Sequence, residues 1–61
     1  MISVEFKIIK LTSVHDSWEK TDVFHKVIIS GKNMQIIKFQ LNEVLEYYNL
    51  QSDSFKKWVV E

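Results

Sequence analysis

Cysteine is absent from this chain, and so are proline, alanine and arginine. Without cysteine there is no disulfide and no thiolate zinc site. A domain of this size usually leans on such a staple or on a partner, because its own core supplies only about 3–5 kcal/mol. A partner is the source that composition leaves open, either a second copy or a target. The one glycine, Gly31, excludes a glycine-rich phosphate-binding loop. All eight basic residues are lysine, while isoleucine is frequent. Arginine, alanine and proline mostly use GC-rich codons, so the bias points to an AT-rich genome, that of a low-GC bacterium or a phage.

Charge of one sign is also lacking. Eight lysines balance eight acidic residues, for a formal net charge of zero. Phosphate neutralisation dominates nucleic-acid affinity, so a nucleic-acid partner is disfavoured. A mimic of DNA would need the opposite excess, and that is missing too. No run approaches the roughly 20 apolar residues of a membrane span. Glu5 and Lys7 interrupt the apolar residues near the start, so no signal-type apolar core forms. The expectation is a whole gene product in the cytoplasm with no membrane partner.

What is present is apolar and patterned. The 61 residues allow one domain, 1–61, and an apolar fraction of 46% argues against disorder. Ile2, Val4, Phe6 and Ile8 alternate with Ser3, Glu5 and Lys7, the period of a half-buried strand. Ile9 and Leu11 continue on the second face, which implies a twist, a bulge or burial on both sides. Residues 12–21 read as a polar connection broken only by Val14 and Trp18. Residues 22–30 are strand-like again, and the two strands are expected to pair antiparallel across a long loop. Ser30 and Gly31 end the second strand.

Residues 34–39 fit a third strand or the first turns of a helix. The helix matches more positions, because Met34, Ile37, Leu41, Val44, Leu45 and Tyr48 fall within about 100° of arc. Asn33 is a competent N-cap. The reading is therefore a helix over 33–50 and, from the Trp-Val-Val cluster, a strand over 54–60. The fold class is α+β, a small antiparallel sheet with one helix packed on it in the order β-β-α-β. The alternative is β-β-β-α.

No catalytic constellation stands out. His15 and His25 lie near Asp16 and Asp22, but a separation of ten matches no metal or triad spacing. Glu43 and Glu46 share a helix face and read as solvated charges. Lys56, Lys57 and Trp58 could stack a base and meet a phosphate, yet two lysines supply little of that energy. No cofactor, metal or catalytic residue is expected, and the chain is read as a non-enzyme.

The helix carries the positive signal. With its core stripe removed, Ile36, Phe39, Tyr47 and Leu50 form a second apolar group within about 80° of arc, with Glu43 in its middle. Such patches often mark partner surfaces, and aromatics are favoured anchors. The expected contact set is Trp18, Ile36, Phe39, Gln40, Glu43, Tyr47 and Leu50. The competing readings are that the helix has a different phase, or that loop 12–21 covers this face through Trp18.

Phe24-x-Lys26, then Lys32-Asn33 opening the helix, Gln35, Gln40 and Glu43-Val44 along it, and Lys56-Lys57 at the start of the last strand form a pattern over residues 24–57. With a one-residue gap, this pattern resembles the Dmd family of small antitoxins from T-even-type bacteriophages. The chain departs from it at Ile36, where the family carries a bulky aromatic. The resemblance implies a phage protein that wedges into the groove of a host messenger-RNA endoribonuclease toxin of the RnlA/LsoA type and occludes its active site. Alternatives are an inhibitor of another host defence machine, such as a CRISPR effector or restriction enzyme, and a homodimeric regulatory or structural protein that uses the helix patch on itself.

Overall fold

A computed structural model describes residues 1–61. The elements are β1 (Ile2–Val14), β2 (Ser17–Gly31), α1 (Met34–Leu50) and β3 (Lys56–Val60). The sheet order is β2-β1-β3, with β1 antiparallel to both neighbours. β2 and β3 therefore run parallel, and α1 is the crossover that carries the chain over one face of β1. The small α+β fold in the order β-β-α-β is the one the sequence implies. Segment 34–39 is helix, which removes the β-β-β-α alternative.

The alternation of β1 decides which side is covered. Val4 pairs with Ile29, Phe6 with Val27 and Ile8 with His25. These residues share one face, and Ile37, Leu41 and Leu45 of α1 pack down on it. Ile8 and Ile37 are completely buried. Ile9 is buried on the other face, where its register partners are Phe24 and Val59 and no second layer lies above them. The expected bulge is there as well, because the register shifts between Ile9 and Leu11. Thr21 Oγ1 spans the irregularity by donating to the Lys10 carbonyl at 2.8 Å.

Residues 12–21 are a correction. They are not a long polar connection but the outer half of the hairpin, paired in register from Leu11–Lys20 to Val14–Ser17. The loop of this hairpin is His15-Asp16 alone, and both residues have positive φ, 49° and 67°. Two left-handed residues in a two-residue loop match the twist of the flanking strands, the geometry of a type I′ turn. His-Asp is a less usual filling than Asn-Gly for that turn, and polar arms with no core beneath them lack the alternation that announces a strand. The hairpin extends the molecule to 43 × 19 × 16 Å.

The helix starts where its cap predicts. Asn33 Oδ1 accepts a hydrogen bond from the Ile36 amide at 3.0 Å. Met34 is exposed, contrary to its place in the expected core stripe. Ile37 and Leu41 are buried, and Val44, Leu45 and Tyr48 are half-buried. After the helix the chain turns, and the last strand begins at Lys56 rather than at residue 54. Phe55 accepts at its carbonyl from the Ser13 amide at 3.0 Å, which ties the turn to the outer hairpin.

Candidate functional site

Burial of one helix face leaves the other to water. Ile36 is 39% exposed, Phe39 64%, Tyr47 63% and Leu50 75%. Glu43, between Phe39 and Tyr47 on the same stripe, is exposed too. From Ile37 onward the helix phase is the one the sequence implies, and Phe39, Tyr47 and Leu50 form an outward row, with Ile36 at its start lying partly against Gly31. Gln40 sits at the inner margin of that row, where its side-chain amide donates to the Ser30 carbonyl at 3.4 Å.

Trp18 does not join them. It pairs with Ser13 in the outer hairpin, on the sheet face turned away from α1. The Lys57 ammonium lies 6.0 Å from its ring centroid. Trp18 neither covers the outer helix face nor extends it, because residues 12–21 are paired as a hairpin and do not fold back as a loop. Phe24 and Ile28 are exposed on the same uncovered sheet face. The Lys7 ammonium stands 4.4 Å from the centroid of the Phe24 ring.

The histidines are apart. His15 is in the turn, while His25 pairs with Ile8, about 20 Å away along the strands at the ordinary rise per residue. No group of three or more His, Cys, Asp or Glu residues is placed to hold a metal ion. No helix is long and apolar enough to cross a membrane.

His25 belongs to a cluster that sequence spacing did not disclose. At the C-terminal end of α1, the His25 ring lies 5.0 Å from Trp58 and 5.5 Å from Tyr48. Tyr48 and Trp58 meet edge to face at 5.3 Å, and Tyr47 meets Tyr48 at 6.3 Å. The Tyr48 hydroxyl and His25 Nδ1 are hydrogen-bonded at 3.1 Å. These rings, with Gln51 and Ser52, line an open pocket of about 260 Å³. Its rings come from three elements, β2, α1 and β3, so only the fold assembles them.

Asn49 fixes the wall of this pocket. Its side chain accepts from the Trp58 amide at 2.7 Å and donates to the Trp58 carbonyl at 3.1 Å. One helix residue thereby supplies both bonds that a neighbouring strand would offer the free edge of β3. Across the sheet, partial burial and then the neighbouring Lys56 ammonium push the pKa of Lys10 below its ordinary value.

No family model, curated protein or solved structure matches this chain. The candidate site therefore rests on its own geometry: an exposed apolar row on α1 that leads through Tyr47 into an aromatic pocket.

Proposed function

We propose that this chain is a non-catalytic inhibitor protein that docks on a host protein through the outer face of α1. The partner we propose is a messenger-RNA endoribonuclease toxin, as the resemblance to the small phage antitoxins implies. The supporting observation is the exposed row of Ile36, Phe39, Tyr47 and Leu50 around Glu43 on a helix whose opposite face already fills the core. A lone surface helix gains nothing from two aromatics and two aliphatics held in water. A partner that buries them gains roughly 25 cal/mol for each Å² of apolar surface removed. Glu43 and Gln40 are placed beside the apolar anchors, where a carboxylate and an amide can meet polar groups on the partner.

Inhibition by occlusion needs shape and anchors and no reacting group in the inhibitor. The decisive experiment measures RNA cleavage by a purified RnlA/LsoA-type toxin with and without this chain. The native chain is expected to suppress cleavage. Phe39→Asp with Tyr47→Asp is expected to abolish both suppression and binding while the circular dichroism spectrum stays unchanged. Full inhibition by that double variant would sink the assignment to this face. Absence of binding by the native chain would sink the choice of partner.

A further inference from the structure

The pocket at the end of α1 has a chemistry of its own. The rings of Tyr47, Tyr48 and Trp58 converge there with His25, and the polar rim is Gln51 and Ser52. None of the eight lysines lines it. Aromatic faces carry negative quadrupole density and attract cations. The pocket also sits at the carbonyl end of a helix, where partial negative charge collects. A basic residue in the last turn would complement that charge, and α1 has none there; its last carbonyls accept only neutral donors, the Gln51 and Ser52 amides and the Ser52 hydroxyl. A volume of about 260 Å³ falls below the usual range for small-molecule sites and suits one long side chain.

We infer that this pocket is a cation site that receives an arginine side chain from a protein partner. Guanidinium is favoured over ammonium on two grounds. It is flat and weakly hydrated, so it stacks on a ring at low desolvation cost. Its several N–H donors can also reach the Gln51 and Ser52 rim while the plane rests on the rings. Tyr47 is shared between the outer row and the pocket, so an arginine seated here would lie beside the anchors of the docking face. The site is a property of the isolated chain and does not depend on which protein the outer face binds.

The test uses the full-length chain and N-acetyl-arginine amide as the probe. Binding is read from the indole N–H resonance of Trp58, assigned by its persistence in Trp18→Phe. A saturable shift in the millimolar range is expected, with the Trp18 resonance unmoved. The neutral isostere N-acetyl-citrulline amide should bind much more weakly. Tyr47 is largely exposed, so its replacement leaves the fold standing. Tyr47→Ala should weaken binding about two- to fivefold, and Tyr47→Phe should retain it. Equal binding of the citrulline probe would overturn the cation site. Tighter binding of tetramethylammonium or of adenosine monophosphate would overturn the choice of guanidinium, and no saturable shift with any probe would remove the site. Phe39→Asp should leave the titration unchanged, which separates this result from failure of the docking face.

Discussion

Gly31 illustrates how one position can be fixed by space and not by backbone conformation. Its φ is not positive, so any residue could adopt its backbone. A Cβ built there would meet Ile36 Cγ2 at 3.0 Å and Ile37 Cγ1 at 3.2 Å. The first turn of α1 is pressed against the end of β2, and Ile37 is one of the few fully buried side chains. Gly31→Ala is expected to cost about 1–3 kcal/mol through overpacking. Urea unfolding followed by circular dichroism measures it, and an unchanged midpoint would mean that Ile36 yields freely. In the sequence Gly31 reads as a chain break. Its packing role depends on Ile36 and Ile37 folding back over it, which no local pattern reveals.

At the scale of elements, α1 and β3 are held together by Asn49. Asn49→Ala removes two hydrogen bonds and leaves the Trp58 amide and carbonyl without partners at a part-buried edge. Each unsatisfied group costs about 1–3 kcal/mol. The variant should lose stability by a comparable amount, and faster hydrogen exchange at the Trp58 amide should report the site directly. Asn49→Asp is expected to recover the acceptor bond and not the donor bond. The same two elements show where sequence reading holds. Ile37, Leu41 and Tyr48 recur at helical spacing because one face meets a sheet, and Asn33 announces the start, so α1 and its outer row are legible. The outer hairpin is not. From Thr12 to Thr21 neither face meets the helix, so no apolar alternation is imposed. The aromatic pocket is illegible for a different reason, since His25, Tyr48 and Trp58 meet only once β2, α1 and β3 are in place.

The whole molecule is closed by a charge cluster around Glu61. Its carboxylate bonds Lys7 of β1 at 3.0 Å and also Lys20 of β2, just beyond the end of β3. The lysine hydrogen bonds, Lys20 first and Lys7 second, hold the Glu61 carboxyl below its ordinary pKa of 4.5. A depressed carboxyl contributes stability that is present above its unfolded value and is lost as pH falls through the folded one. The stability of the native chain should therefore decline below about pH 4.5, and added salt should shrink the effect because the groups face solvent. Thermal melts of Glu61→Gln across that range should show a shallower acid limb than those of the native chain. Parallel acid limbs would mean that the cluster contributes nothing to folding.

The elongated outline has a consequence for how the molecule tumbles. A body of 43 × 19 × 16 Å reorients slowly about its short axes and quickly about its long one. Strand amides point across the strands, and the strands define the long axis. Helix amides point along the helix, which climbs from Gly31 to the level of His25, about 20 Å at the strand rise against a helix length of about 25 Å. The bond vectors of α1 are therefore close to the slow-moving axis, and those of β1 and β2 lie across it. Spin-relaxation ratios should run higher in α1 than in the sheet even when both are equally rigid, so a lower ratio along the hairpin would report its direction in space and not its mobility.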